Sequence, residues 1–289
     1  MSLRIELDRL VRTRGLDFLN TDPLQFARRF SSRSDRECAA LISAVFAYGN
    51  VRSIFGFLER LFAGLGPHPA RSIQRGAIPA TLPGYRFQTS ADVRAFLESL
   101  GKVLRESGSF EACFSALPGA PEDRLEAFAW KLRRESGGNS AGLRHLLPLP
   151  SGGSACKRWR LFLRWVVRPD DGLDLGLWST LSPRQLLMPI DTHLARISYA
   201  LRLTDRKTAD RQFALEVTRA LARFCPEDPL RYDFALARLG ILRECPSRRV
   251  DAICRRCPLQ PHCRLSPGTQ TSTAHHATAS RPGSLDKRG

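Results

Sequence analysis

Apolar residues recur every three or four positions along most of this 289-residue chain. Such spacing gives a helix one apolar stripe, whereas the strict alternation of a half-buried strand is scarce here. Asp35 is expected to cap the first clear helix. We therefore predict an all-α protein. The stripe is clearest in 41–46, 159–167 and 213–224, and weaker in 51–65, 91–106, 122–134, 194–203 and 229–242.

Two stretches lack this periodicity. Residues 66–88 are rich in Pro, Gly and Arg, which predicts a long surface loop. Residues 266–289 consist largely of Ser, Thr, Pro, Gly, Ala and His, a composition that buries too little apolar surface to stay folded. We predict a disordered tail there.

The chain is strongly basic, with a formal charge of +17 and a pI near 10.5. Such a surface attracts polyanions, so nucleic acid is the first partner to consider, although an arginine-rich composition alone would give the same charge. The N-terminus lacks a secretory signal, and no segment approaches the ~20 apolar residues of a membrane span. We expect a cytoplasmic, nucleoid-associated monomer with no membrane partner.

Four of the eight cysteines cluster near the C-terminus in the pattern C-x8-C-x2-C-x5-C. In a reducing compartment such a group indicates metal rather than disulfides, and four thiolates suit either Zn²⁺ or an iron–sulfur cubane. Neighbouring arginines are expected to stabilise the thiolates. The sequence leaves the choice of metal open. The predicted ligands are Cys245, Cys254, Cys257 and Cys263.

A glycine turn leads into the second clear helix and ends at Lys157. Backbone N–H groups exposed in such a turn can bind a phosphate, although a Gly-Gly turn before a helix is often only a turn. Arg160, Arg164 and Arg168 share one helix face with Lys157, opposite the apolar stripe. We expect this face to meet DNA, with a solvated helix face as the alternative. The turn residues predicted to contact DNA are Gly152, Gly153, Ser154 and Ala155.

Asp191 follows Lys157 after 34 positions, directly before a predicted helix. An N-cap role alone would explain it. A carboxylate can also stabilise positive charge at the anomeric carbon of a sugar, and a neutral lysine amine can attack that carbon to form a Schiff base. Lys157 and Asp191 are therefore the candidate catalytic pair. His193 is expected to pack at the helix start rather than to act in catalysis.

Three motifs follow one another in the chain: a hairpin ending in Lys, then Asp-Thr-His, then the cysteine cluster. This order resembles the helix-hairpin-helix DNA glycosylase superfamily. Its endonuclease III branch, which carries a [4Fe-4S] cluster, is the most similar. The chain looks closer still to a bacterial group of unassigned function within or near that superfamily. Residues 20–265 carry the resemblance. The group's characteristic segments are 153–158, 162–165 and 168–172.

The resemblance implies a fold of two helical lobes with a basic cleft. Residues 35–188 would form a helical barrel with the hairpin, and 1–34 with 189–265 would form the cluster lobe. Lys157 matches the imine-forming lysine, and Asp191 matches the aspartate that supports base loss. The four clustered cysteines match the cluster ligands. Tyr48 and Asn50 match the region that wedges into the base stack.

What the resemblance implies about activity is excision of a damaged base, flipped out of double-stranded DNA, with or without strand cleavage as an AP lyase. The chain departs from the pattern in three respects. Ala155 stands at a hairpin glycine, the first cysteine gap is longer, and the interval between Lys157 and Asp191 is extended. Archaeal members specific for oxidised guanine share a long interval, which suggests an oxidised purine.

Two other functions fit the same residues. The scaffold could bind DNA without catalysis, in which case substituting Lys157 and Asp191 would remove no activity. A zinc-containing RNA-binding or RNA-processing protein is the second alternative. Colour distinguishes it, because a [4Fe-4S] protein is brown and a zinc protein is colourless.

Overall fold

The structure, a computed structural model, describes residues 2–138 and 140–265; the tail predicted for 266–289 lies outside them. Within these ranges the chain forms helices and no β-strand, which confirms the all-α prediction. The α-helices are α1 Leu3–Thr13, α2 Leu24–Arg28, α3 Arg33–Val45, α4 Val51–Leu65, α5 Pro69–Gln74, α6 Ser90–Ser107, α7 Phe110–Ala116, α8 Pro121–Glu135, α9 Ala141–Leu146, α10 Lys157–Val167, α11 Thr192–Ala200, α12 Arg211–Ala222, α13 Asp233–Ile241 and α14 Asp251–Cys254. Short 3₁₀ helices lie at Leu16–Thr21, Pro150–Gly152, Pro183–Gln185, Pro229–Tyr232 and Gln260–His262.

The start of α3 differs from the prediction. Ser32, not Asp35, is the N-cap, because its extended backbone lets its side chain accept the N–H of Asp35 at 3.1 Å. Asp35 instead accepts the N–H of Ala70 at 3.0 Å and so ties α3 to α5. The stretch predicted as a surface loop therefore contains a helix, anchored by the buried Ile73.

Helix α10 is the centre of the core. Its stripe buries Trp159, Phe162 and Trp165, and the helix packs along α3. Fully burying each large aromatic side chain contributes about 1.5–3 kcal/mol from the hydrophobic effect. The stability of α10 therefore comes from packing around its whole circumference, which also fixes the position of Lys157 at its first turn.

Residues 168–191, which we call the connector, link α10 to α11 without an α-helix of their own. The connector folds back along α10: the N–H groups of Leu175 and Trp178 donate to the carbonyls of Trp165 and Val166, both at 2.7 Å. These carbonyls lie in the last turn of α10, where no helical N–H can reach them. The connector thus supplies hydrogen-bond donors for the free carbonyl groups in the last turn of α10.

The two ends of the described chain lie together. Helix α1 packs on α13, and Arg14 binds Glu244 at 2.7 Å. Helix α2 packs instead on α3, although the predicted division placed the two in different lobes. Helices α11 and α13 also pack on each other, which brings the start of both to one region.

Among the residues the structure describes, no helix is long and apolar enough to cross a membrane.

Candidate functional site

Folding brings Lys157 and Asp191 together across the connector. Lys157 Nζ lies 3.8 Å from Asp191 Oδ2, with side chains that are 33% and 21% exposed. Lys157 begins α10, and Asp191 is the N-cap of α11, where its Oδ1 accepts the N–H of Leu194 at 2.7 Å. One carboxylate oxygen therefore fixes the helix start while the other faces the amine.

The pair lies in an open cavity of about 920 Å³. This volume is in the range of roughly 300–1,000 Å³ that is usual for ligand sites. The first residues of α4, α10, α11 and α13 all line the cavity, so four helix N-termini open onto it. Because helix N-termini carry partial positive charge, the cavity favours anionic groups. His193 also lines it and packs on α13, where a Cβ at Gly240 would lie 2.5 Å from His193 Cβ.

Behind Lys157 and Asp191 lies a buried ion pair that the sequence analysis did not single out. Asp233, the first residue of α13, accepts a hydrogen bond from Arg164 Nη1 at 2.6 Å, and both side chains line the cavity. Burial raises the pKa of Asp233 to about 6; Arg164 opposes the shift, and the charge of Asp191 adds to it. Only its place on the cavity wall, known after folding, distinguishes this aspartate.

Three of the four cations predicted to share a DNA-binding face along α10 are internal. Arg160, Arg164 and Arg168 are nearly fully buried. Arg160 pairs with Glu122 at 2.7 Å, and Arg164 pairs with Asp174 of the connector at 3.1 Å. The prediction for these arginines is wrong because α10 is covered on both sides, and guanidiniums buried in this way require internal carboxylates.

A second buried arginine, Arg238 on α13, also lines the cavity. It donates to Asp22 at 2.7 Å and to Thr21 at 3.0 Å, and its guanidinium lies 4.3 Å from the ring centroid of Phe234. Burial lowers the pKa of Arg238 from its usual value, and Asp22 opposes that shift. The contact ties α13 to the segment before α2 and closes one side of the cavity.

The backbone N–H groups of the two hairpin glycines form hydrogen bonds within the turn itself. The N–H groups of Gly152 and Gly153 donate to Leu149 and Pro150 at 3.1 and 3.2 Å, so a phosphate contact there would have to use other donors. Gly153 has φ +77, a conformation that favours glycine. Ser154 lines the cavity, whereas Ala155 is buried, so its methyl group points away from solvent.

One end of the hairpin already holds a carboxylate. Glu126 on α8 accepts the backbone N–H and the hydroxyl of Ser151, both at 2.7 Å. A phosphate approaching this end meets a negative charge.

The predicted wedge residues have different places. Asn50 caps α4 by accepting the N–H of Ser53 at 2.9 Å. Tyr48 lines the cavity, but its hydroxyl donates to Gln88 and its ring packs on Tyr85, with centroids 5.1 Å apart. Tyr48 is thus held in place, so it is better suited to form the wall of the cavity than to wedge into a base stack.

The exposed aromatic residue at this rim is Phe87, which the sequence analysis missed. Its side chain is 56% exposed, its ring lies parallel to that of Tyr48 at 6.3 Å, and His145 lies 4.7 Å away. Arg86 precedes it with φ +50 and lies 5.5 Å from its ring centroid. Its ring neighbours Tyr48 and His145 line the cavity, so the exposed Phe87 ring lies near it, an arrangement suited to stacking on a nucleobase. A phenylalanine in a Pro/Gly/Arg-rich stretch was the available signal.

The four C-terminal cysteines line one small, largely apolar cavity. Cys254 ends α14, and Cys263 Sγ accepts the N–H of Leu265 at 3.4 Å. Burial raises the pKa of Cys245 to about 11, and Arg196 opposes this shift. Three of the arginines near the cysteines pair with acids: Arg249 and Arg255 bind Asp251, and Arg264 binds Asp205.

The structure brings the four predicted ligands to one cavity. Among the described residues, no group of three or more His, Cys, Asp or Glu side chains is arranged to hold a metal ion. The choice between zinc and an iron–sulfur cluster stays a prediction.

A protein-family model matches residues 22–242 of the chain, and its description is "Protein of unknown function (DUF2400)". The match covers Lys157, Asp191 and Asp233 and ends before the first clustered cysteine. No curated protein and no solved structure gives a significant match.

Proposed function

The chain belongs to the DUF2400 family of proteins of unknown function, and we propose that it is a DNA base-excision glycosylase with a helix-hairpin-helix fold. The substrate is a damaged base, with oxidised purine as the first candidate, in double-stranded DNA. The same active centre would act as an AP lyase if the covalent intermediate eliminates before it is hydrolysed.

One observation carries this proposal: the amine of Lys157 and the carboxylate of Asp191, 34 positions apart in sequence, face each other at 3.8 Å in a cavity large enough for a nucleotide. Each side chain is partly exposed, so a flipped sugar can reach both.

In the proposed reaction, Lys157 Nζ in its neutral form attacks C1′ of the flipped nucleotide. The C1′–N bond to the base breaks, and the base leaves with the electron pair and takes a proton from solvent. Asp191 stabilises the positive charge that develops on the sugar. The C1′–O4′ bond of the sugar then breaks, O4′ takes up the proton that the attacking amine loses, and a Schiff base joins Lys157 to C1′. Water hydrolyses this imine, or loss of the C2′ proton expels the 3′ phosphate.

Binding to DNA would rest on overall charge and on the cavity rim. The formal charge of +17 favours the backbone, and Arg86 and Phe87 stand at the mouth, where a strand must be opened. Phe87 would fill the space left by the flipped nucleotide. Tyr48 and His145 would support its ring from behind.

The clustered cysteines fit a [4Fe-4S] group. All four line one apolar cavity, and backbone N–H groups donate to the sulfurs of Cys257 and Cys263, as is common around such clusters. When bound, the group supplies metal–sulfur bonds that tie the C-terminal segment together. Arg264 N–H already donates to the Ala200 carbonyl at 2.8 Å, so this segment is joined to the end of α11.

Borohydride trapping tests the proposal. The full-length protein is incubated with duplexes that each carry one lesion, including oxidised purines, and borohydride reduces any Schiff base to a stable adduct. We expect an adduct with wild type that is lost in Lys157→Ala and retained in Lys102→Ala, which removes a lysine of α6 outside the cavity. Asp191→Asn should slow adduct formation.

The result that contradicts the proposal is equally clear. If wild type forms no adduct and releases no base from any duplex, yet binds DNA, the scaffold is a non-catalytic DNA-binding protein. An adduct that persists in Lys157→Ala would place the nucleophile elsewhere.

A further inference from the structure

A buried ion-pair network lies behind the candidate active centre. Arg164 on α10 pairs with Asp174 and Asp233, and Arg168, which directly follows α10, pairs with Asp171, Asp174 and Asp228. The buried members are the two arginines with Asp174 and Asp233, whereas Asp171 and Asp228 are 43% and 22% exposed. Buried charges are normally matched in this way, because an unpaired buried charge is costly.

Only one carboxylate of this network faces the cavity. Asp233 lines it together with Lys157 and Asp191, whereas Asp174 is fully buried behind Arg164 and does not line it. The two aspartates share Arg164 but have different surroundings. Asp191 and Asp233 also interact electrostatically, because α11 and α13 pack with their first residues adjacent.

We infer that Asp233 is a positioning residue of the proposed reaction, acting through Asp191. Its carboxylate, which shares Arg164 with Asp174, adds negative charge near Asp191 and keeps that residue's free oxygen directed at the sugar. The inference rests on the proposed glycosylase function, in which positive charge develops at C1′. Because Asp233 is buried, solvent screens its charge less than it would screen an exposed carboxylate.

The state of Asp233 should set how the reaction depends on pH. Protonating Asp233 removes the added charge, so base release is expected to slow as the pH falls through about 6. Other groups near it contribute as well. Those that face Asp233 or its helix are Arg164 on α10, Asp174 of the connector, Asp191 at the start of α11, Arg238 on α13, and Glu6 and Asp8 on α1.

Two histidines on the cavity wall need their own controls. His145 and His193 both line the cavity. Burial lowers the pKa of His145, and Arg158 and Arg86 add to that shift. The variants His145→Asn and His193→Asn should therefore keep the loss of rate at low pH if Asp233 causes it.

The test compares Asp233→Asn with Asp174→Asn, two isosteric changes on the same arginine. Single-turnover base release is measured across pH on a lesion duplex that wild type cleaves. Asp233→Asn should release base about tenfold or more slowly near neutral pH, because the charge beside Asp191 is gone. Its rate should also no longer fall at low pH, the part of the pH–rate profile that we call the acid limb. Asp174→Asn should keep the limb, shifted to lower pH, since a like charge near Asp233 has been removed.

Thermal melting checks the stability of each variant. If Asp233→Asn does not fold, the double variant Arg164→Gln/Asp233→Asn replaces it, because this variant removes both charges together. The inference fails if the two single variants have the same pH profile, since Asp233 would then only support Arg164. It also fails if wild type has no acid limb. Absence of base release by wild type on every duplex would instead overturn the proposed function, and this inference with it.

Discussion

Trp178 Nε1 donates a hydrogen bond to Glu37 Oε1 at 2.6 Å, joining the connector to α3 across 141 positions of sequence. Glu37 is buried and also accepts the N–H groups of Phe110 and Glu111, at 3.2 and 2.9 Å, at the start of α7. Burial raises the pKa of Glu37, and these three hydrogen bonds oppose the shift. One carboxylate thus fixes three segments around α10.

Replacing Trp178 with Phe tests this contact. The ring that packs between Phe114 and Phe162 is kept, but the N–H donor is lost and a buried acceptor loses a partner. We expect the free energy of unfolding to fall by about 1–3 kcal/mol. Urea denaturation measures it, with Trp130→Phe, at a tryptophan that is 49% exposed, as the control. Equal effects in both variants would mean that the hydrogen bond contributes nothing.

Asp170 gives the protein a stability that depends on pH. Desolvation works against ionisation here, but hydrogen bonds from Arg28 and Arg36 outweigh it and hold the pKa of Asp170 at about 2, below the usual 3.8. A lowered pKa in the folded state stabilises the fold above 3.8, and this contribution disappears as the pH falls through about 2.

Asp170→Asn should therefore be less stable than wild type near neutral pH, and the difference should vanish towards pH 2. The side chain is 44% exposed, so solvent screening limits the difference to about 1 kcal/mol. Chemical denaturation at several pH values measures it, with Glu227→Gln as an exposed-acid control. A difference that is constant with pH would contradict the assignment.

Phe87→Ala tests whether Phe87 acts on DNA without contributing to the stability of the fold. Because Phe87 is exposed, its loss should change the unfolding free energy by less than about 0.5 kcal/mol. Loss of one stacking contact should weaken binding to a lesion duplex roughly tenfold. It should also reduce the fluorescence rise of 2-aminopurine placed beside the lesion. Trp130→Ala, at an exposed aromatic residue outside the cavity, should leave both unchanged.

The cysteine cavity makes a prediction about metal content. Protein purified anaerobically should be brown and contain iron, and Cys257→Ser should lose most of that iron and melt at lower temperature. Cys225→Ser, at a free cysteine outside this cavity, should keep it. A colourless wild type that contains zinc would exclude the cluster.

The sequence by itself determined the helical class and the identity of the motif residues, because helical periodicity and local spacing are properties of neighbouring positions. The stripe in 159–167 became α10, the Asp-Thr-His segment became the start of α11, and the four cysteines met in one cavity. Each of these depends on residues within a few turns of one another, or on a pattern written over a short stretch.

Only the tertiary structure decided which charges are internal and which are available to a ligand. The same spacing that placed Arg160, Arg164 and Arg168 on one face could not reveal that Glu122, Asp174 and Asp233 cover that face. Those acids lie 10 to 69 positions away, and their pairing depends on how the connector and α13 pack. Burial is a property of the assembled chain, and it converts an apparent binding surface into part of the core.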